Sequence, residues 1–175
     1  MKKIFSIALL ATGLMISSQS ANAQNEDKSK RPSPPAKVST KIKSGATITI
    51  DYSQPSVKGR TIGKDLEPME GQVWRTGANE ATVFETDKEL MVNDGKLPAG
   101  KYALFTIFNG NDVTVIFNKT WKQWGAFKYK AEDDVLRIKT KATKASPPAD
   151  KLLFSITGDA VSFVWGDKKV SFSVK

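Results

Sequence analysis

Residues 102–117 read YALFTIFNGNDVTVIF, which is two apolar runs separated by a polar turn. The run from Tyr102 to Phe108 is apolar at nearly every position, which is typical of a central strand covered on both faces. Residues 109–112 are turn formers, and Val113 to Phe117 predicts a second strand that pairs back on the first. We therefore expect a buried antiparallel hairpin at the centre of the fold.

The first 23 residues have the form of a secretory signal peptide. A basic start at Lys2-Lys3 is followed by the apolar residues 4–16 and by the cleavage signal Ala21-Asn22-Ala23. Residues 24–37 are polar and proline-rich, so we expect a disordered leader there and a single β domain over residues 38–175. The sequence predicts an exported protein, periplasmic or secreted, with no membrane span in the mature chain.

Period-two alternation of apolar and polar residues extends through most of the remaining chain. Val38 to Lys43 and Thr47 to Tyr52 predict one hairpin, and Ser146 to Pro148 predicts a linker between two later strands. In all, about ten short strands are expected, with no long helix after the signal peptide. This pattern predicts an all-β fold, an antiparallel β-sandwich of jelly-roll or Ig-like topology.

The residue types that are missing restrict the chemistry of any site. The chain has no histidine and no cysteine, which excludes Ser-His-Asp and Cys-His catalysis and imidazole or thiolate metal sites. Residues 132–134 are acidic, but they lack the glycine and the spaced oxygens of a calcium loop, so a solvated turn is favoured. No metal and no cofactor are predicted.

The net charge of +9 raises the question of an anionic partner. The basic residues are spread through strands and turns, and Arg137, Lys139 and Lys141 alternate along one predicted strand. Such alternation is typical of the solvent face of a sheet. No nucleic-acid partner is expected, because the strands carry no platform of stacking aromatics.

Residues 72–80, QVWRTGANE, concentrate polar groups that an ordinary strand does not need. We predict a ligand site where this corner meets the long loop of residues 53–71 and the aromatic loop of residues 121–129. In this site two arginines would hold anionic or hydroxyl groups, an amide and a carboxylate would orient the ligand, and tryptophans would stack on it. The candidate ligand-binding residues are Arg60, Trp74, Arg75, Asn79, Glu80 and Trp124. A structural alternative stays open, in which Arg75 pairs with Glu80, Asn79 caps the turn and Trp74 fills the core.

The aromatic loop has two interpretations of its own. Trp121, Trp124, Phe127 and Tyr129 are close in sequence, and exposed aromatics on a loop can stack on the C–H faces of sugars. The other interpretation is a loop that folds over the end of the domain with its tryptophans tucked in.

Several stretches along the chain are distinctive: residues 48–60 (ITIDYSQPSVKGR), residues 73–82 (VWRTGANEAT) and residues 97–102 (LPAGKY), together with residues 115–119 and 123–126. In these stretches the chain resembles the domain-of-unknown-function family twenty-nine-eleven. The resemblance covers nearly all of the chain after the signal peptide. It implies an exported bacterial protein and carries no activity and no established site.

Three functional hypotheses follow. The first is a non-catalytic exported β-sandwich that binds a small polar ligand or a glycan. The second is a carboxylate-dependent hydrolase of envelope glycans that uses Glu80. The third is a structural or interaction module of the cell envelope.

Overall fold

The computed structural model describes residues 27–175, so the predicted signal peptide lies outside the described residues. Two single-turn 3-10 segments, Lys28–Lys30 and Ala131–Asp133, accompany ten strands in this part of the chain. The strands are β1 Pro35–Lys41, β2 Thr47–Ser53, β3 Val73–Trp74, β4 Val83–Thr86, β5 Leu90–Val92, β6 Gly95–Leu97, β7 Gly100–Asn109, β8 Asp112–Asn118, β9 Asp134–Thr157 and β10 Ala160–Ser173. Within residues 27–175, no helix is long and apolar enough to cross a membrane.

The predicted central hairpin is confirmed. Strands β7 and β8 pair in register from Ala103↔Asn118 to Asn109↔Asp112, and they lie in the middle of a sheet ordered β1-β2-β4-β7-β8-β9-β10. Strand β3 pairs with β7 beyond the point where β4 ends. All of these pairs are antiparallel.

The all-β, antiparallel fold class is confirmed, whereas two facing sheets of a sandwich are not found. Eight strands form one sheet that curls into a half-barrel, and the short hairpin β5–β6 forms a separate two-stranded sheet. That hairpin adds Leu90, Val92 and Leu97 to the core of the large sheet. Alternation along a strand specifies which residues face inward but not whether a sheet curls or faces a second sheet.

The linker predicted at Ser146 to Pro148 is wrong, because these residues belong to the 24-residue strand β9. Its partner β10 is 14 residues long, and the register between them shifts on both sides of Gly166. Gly166 has a φ of +60°, and a Cβ there would lie 2.5 Å from the Ile62 side chain. The strands thus bend at a bulge instead of ending, which is how a long strand follows a curled sheet.

Both faces of the central hairpin are covered, as its continuous apolar runs predict. One face joins the main core, with Leu104, Val115 and Phe117. The opposite face buries Ala103, Phe105 and Ile116 beneath the loop that follows β8. Tyr129 of that loop packs edge-on against Phe105, with ring centroids 5.1 Å apart.

The expectation of a disordered leader up to Lys37 is corrected for the residues that the structure describes. Strand β1 begins at Pro35 and pairs with β2 from Pro35↔Ser53 onward. Before it, the carbonyl of Pro34 accepts a hydrogen bond from Gln54 N at 2.8 Å. A proline-rich composition therefore does not mean disorder here, because backbone hydrogen bonds fix residues 34–37 and Ala36 packs against the core.

Candidate functional site

Residues 75–82 form a tight corner between β3 and β4 that is fixed by buried threonines. Thr76 Oγ1 lies 3.1 Å from Thr106 Oγ1, and Thr82 Oγ1 donates to the carbonyl of Thr76 at 2.9 Å. Thr76 and Asn79 have φ values of 50° and 58°, which are uncommon for residues other than glycine. The surrounding hydrogen bonds hold the corner in this strained conformation.

Trp74 belongs to the core, as the structural alternative had it. Its side chain is 1% exposed, and its ring packs against Phe163 and, in a stacked arrangement, against Trp165. Its indole N–H donates to the carbonyl of Gly77 at 3.1 Å. With its ring covered in this way, Trp74 supports the corner and is not available to stack on a ligand.

Arg75 does not pair with Glu80. It lines a cavity of about 160 Å³, here named the arginine pocket, together with Ser33, Pro55, Arg60, Leu66, Glu67, Trp74, Gly77, Ala78 and Trp165. Its Nε is buried, and no acceptor within residues 27–175 reaches it. Burial lowers the pKa of Arg75, and the negative charge of Glu67 opposes that shift.

Glu80 is paired with the leader. Its carboxylate lies 2.8 Å from Lys28 Nζ and 3.0 Å from Arg31 Nη1. Partial burial raises the pKa of this carboxyl, but hydrogen bonds from Lys28 and Arg31 outweigh burial and lower its pKa to about 2. Glu80 is therefore ionised throughout the physiological pH range.

Asn79 also binds the leader. Its side-chain amide donates to the carbonyl of Ser33 at 2.9 Å, and its own carbonyl accepts from Gly125 N at 2.9 Å. Asn79 therefore ties the corner to the leader on one side and to the aromatic loop on the other.

The aromatic loop is partly tucked in and partly exposed, so each of its two interpretations holds for some of its residues. Tyr129 is tucked against the sheet, while Trp121, Trp124 and Phe127 are 37%, 52% and 86% exposed. Both tryptophans line a groove of about 430 Å³, here named the tryptophan groove, with Glu80, Ala81, Val83, Lys122, Gln123 and Lys128. The Arg31 guanidinium lies 5.6 Å from the Trp124 ring centroid, and Lys101 Nζ lies 5.6 Å from that of Trp121.

Five of the six predicted residues line two separate cavities, and the sixth, Asn79, lines neither, so they are not gathered into one site. Arg60, Trp74 and Arg75 line the arginine pocket, Glu80 and Trp124 line the tryptophan groove, and Asn79 ties the leader to the corner between them. The corner does meet both predicted loops, but in separate cavities that share no lining residue.

Sequence reasoning did not single out Glu67 and Trp165, which line the arginine pocket. It also did not single out Lys28 and Arg31, which bind Glu80. Lys28 and Arg31 lie in the segment expected to be disordered, 52 and 49 residues from Glu80. Trp165 lies within the strand β10, and Glu67 lies in a loop without any recognisable motif. No local sequence signal places these residues beside the corner, because only the folded chain brings them there.

The acidic turn at residues 132–134 makes ion pairs and hydrogen bonds with neighbouring residues of the fold. Asp133 pairs with Lys119 at 3.0 Å, and Asp134 pairs with Arg137 at 2.7 Å and accepts a hydrogen bond from the Tyr129 hydroxyl at 2.9 Å. Across the described residues, no group of three or more acidic side chains is arranged to hold a metal ion.

These features define a β protein with one curled antiparallel sheet and two separate cavities that are both lined in part by the corner between β3 and β4. The model of one family, described as a protein of unknown function (DUF2911), matches residues 33–174. The chain belongs to this family, which confirms the resemblance seen in the sequence. No curated protein and no solved structure matches it.

Proposed function

We propose that this chain is an exported, non-catalytic binding protein that takes a carbohydrate in the tryptophan groove. The observation that carries the proposal is the pair Trp121 and Trp124, both partly exposed and both lining one groove. Its volume of about 430 Å³ lies within the range of small-molecule sites, about 300–1,000 Å³.

A sugar suits the groove because its surface is amphipathic. The C–H faces of a pyranose stack on indole rings, and its hydroxyls need hydrogen-bonding groups at the edges of those rings. The rim offers the Glu80 carboxylate as an acceptor and the ammonium groups of Lys122 and Lys128 as donors. Arg31 lies over Trp124 and donates to Glu80, so it would fix both groups before the ligand arrives.

The protonation state of Glu80 gives less support to the hydrolase hypothesis than to carbohydrate binding. A glycosidase acid needs a raised pKa so that it carries a proton near neutral pH. The pKa of Glu80 is lowered to about 2, because its hydrogen bonds with Lys28 and Arg31 outweigh the effect of burial. A carboxylate bound in this way is suited to accepting hydrogen bonds from hydroxyls.

The interaction-module hypothesis has its own supporting observation. Phe127 is 86% exposed and is absent from the residues that line the groove. A large apolar side chain beside two half-exposed tryptophans is typical of a surface that a partner protein covers.

A pair of alanine variants distinguishes carbohydrate binding from the interaction-module function. Thermal-shift screening against envelope glycans, followed by calorimetric titration of the best ligand, gives the affinity. Trp124→Ala is expected to weaken sugar binding at least about tenfold, because a stacked ring is lost, whereas Phe127→Ala leaves it unchanged. No thermal shift with any glycan, together with a partner captured by the wild type and lost only in Phe127→Ala, would favour the interaction module.

A further inference from the structure

The arginine pocket is lined by a guanidinium, that of Arg75, with one buried donor that has no acceptor within residues 27–175. A guanidinium is a rigid fork of N–H donors, and the Nε of Arg75 is buried without an acceptor in the described chain. A buried donor left without a partner destabilises the fold, and the cost is greater when the donor is charged. Such a group is retained at a cost to stability, which is expected where a ligand supplies the missing acceptor.

A second guanidinium, that of Arg60, is held at the same cavity by the backbone. Arg60 Nε donates to the carbonyl of Val57 at 3.1 Å, and its Nη2 donates to the carbonyl of Ser56 at 2.7 Å. These bonds fix an otherwise flexible side chain, so little conformational entropy remains to be lost when a ligand binds.

The charge of the pocket is positive. Among its lining residues, Arg60 and Arg75 are basic and Glu67 is acidic, while the others are uncharged. The Glu67 carboxylate is partly engaged, since its Oε2 accepts from Met69 N at 3.1 Å. The lining thus carries one more positive than negative charge, which is the balance that a singly charged anion neutralises.

The apolar walls and the volume of the arginine pocket limit which ligands can enter it. Pro55, Leu66, Trp74 and Trp165 are apolar, and the two indole N–H groups are already bonded to the carbonyls of Gly77 and Glu67. Apolar walls strengthen charge–charge attraction inside a cavity. The volume of about 160 Å³ is close to that of an engineered cavity, about 150 Å³, that holds benzene.

We propose that the arginine pocket binds a small oxyanion, a carboxylate or a phosphate group, through Arg75 and Arg60. Arg75 would donate from its buried Nε and from a terminal nitrogen, which matches two oxygens of such a group. This site shares no lining residue with the tryptophan groove, so it is independent of the carbohydrate proposal.

The test follows the arginine Nε–H signals in a proton–nitrogen correlation spectrum. The chain has four arginines, so each signal can be assigned from a single Arg→Lys variant. Inorganic phosphate and sodium acetate are titrated separately, with chloride replaced to hold the ionic strength constant. We expect the Arg75 signal to move and saturate with at least one of them, and the preferred anion identifies a phosphoryl or a carboxylate ligand.

Stability supplies the second readout. Phosphate stabilises folded proteins in general because it is excluded from their surface, so the control is Arg137→Lys, which alters an arginine bonded to Asp134 outside the pocket. Arg137→Lys should keep the full anion-dependent rise in Tm, and Arg75→Lys should lose its saturable part. Should Arg75→Lys fail to fold, Arg60→Lys replaces it and is expected to weaken binding about tenfold, as the loss of a paired donor does. An Arg75 signal that neither anion moves, or an equal rise in Tm in all variants, would overturn the proposal.

Discussion

The Arg31 guanidinium lies 3.0 Å from the Glu80 carboxylate and 5.6 Å from the centroid of the Trp124 ring. One leader residue thereby contacts the corner and the aromatic loop together. Glu80 and Trp124 are also joined through their backbones by an isolated antiparallel bridge. The leader, the corner and the aromatic loop consequently form one connected surface around the tryptophan groove.

Glu80 makes part of the stability dependent on pH. Its pKa is about 2 in the folded protein against an ordinary value of 4.5, so its contribution is present above about pH 4.5 and is lost as the pH falls through 2. Glu80→Gln should be less stable than the wild type by about 1–2 kcal/mol at neutral pH, a figure discounted for the 39% exposure of the side chain. Urea denaturation between neutral pH and about pH 2 measures the difference.

The comparison of the two proteins isolates Glu80, because the other carboxylates titrate in both. The difference in the free energy of unfolding should shrink toward zero at the acid end of the series. A difference that stays constant with pH would mean that the charge of Glu80 is not what stabilises the fold.

Truncation of Trp74 and truncation of Trp124 should lower the free energy of unfolding by very different amounts. Trp74→Ala should lower the free energy of unfolding by about 3–5 kcal/mol, because it empties a fully buried site among aromatic rings. Trp124→Ala should cost less than about 1 kcal/mol, because the side chain is half-exposed and loses mainly its contact with Arg31. Chemical denaturation of both variants measures these costs, and similar losses would contradict the assignment of Trp74 to core and Trp124 to surface.

Removal of the leader should weaken the fold without abolishing it. A chain that begins at Pro35 keeps β1 but loses the bonds from Lys28, Arg31 and Ser33 to the corner. We expect a loss of about 2 kcal/mol, since the bonds are few and partly exposed. Tryptophan emission should shift to longer wavelength, because Trp124 loses its contact with Arg31 and becomes more exposed to solvent.

The matched control for this truncation is a chain that begins at Asp27 and keeps all three bonds. If the two chains are equally stable and have the same emission maximum, the leader contacts contribute nothing in solution.

The corner should not accept even one added methyl group at Gly77. A Cβ there would lie 2.8 Å from Thr82 Oγ1 and 3.2 Å from the Ser53 carbonyl, and Thr82 is held by its bond to Thr76. Gly77→Ala should therefore cost about 2–3 kcal/mol through overpacking.

Gly158→Ala provides the control, because Gly158 has a positive φ but open space around its Cβ position. That variant should cost only the backbone strain, about 1–2 kcal/mol. Thermal and urea denaturation of both variants decide the point, and a smaller loss at Gly77 than at Gly158 would refute a tightly packed corner.

Much of the fold could be predicted because it depends on local patterns. The apolar run from Tyr102 to Phe108 marked the central strand, and the alternation at residues 38–52 marked the first hairpin. The bend at Gly166 could not be distinguished from the end of a strand, because a bulge and a turn use the same residue types. The curl of the sheet has no local signature.

The candidate site was predicted in its residue types but not in its grouping. The polar corner at residues 75–80 was evident in the sequence, yet Arg75 and Glu80, five positions apart, serve different cavities. The charge that neutralises Glu80 comes from Lys28 and Arg31, about fifty positions away, and no periodicity encodes a contact at that distance.

The sequence by itself determined the antiparallel strands, the exclusion of histidine and cysteine chemistry, and the position of the polar corner, since composition and period-two alternation act locally along the chain. Only the tertiary structure decided that Trp74 is core while Trp124 is surface, and that the Nε of Arg75 has no acceptor within residues 27–175 while Glu80 has two cationic partners. The physical reason is that burial and charge pairing depend on which distant segments pack together, and packing is a property of the whole chain.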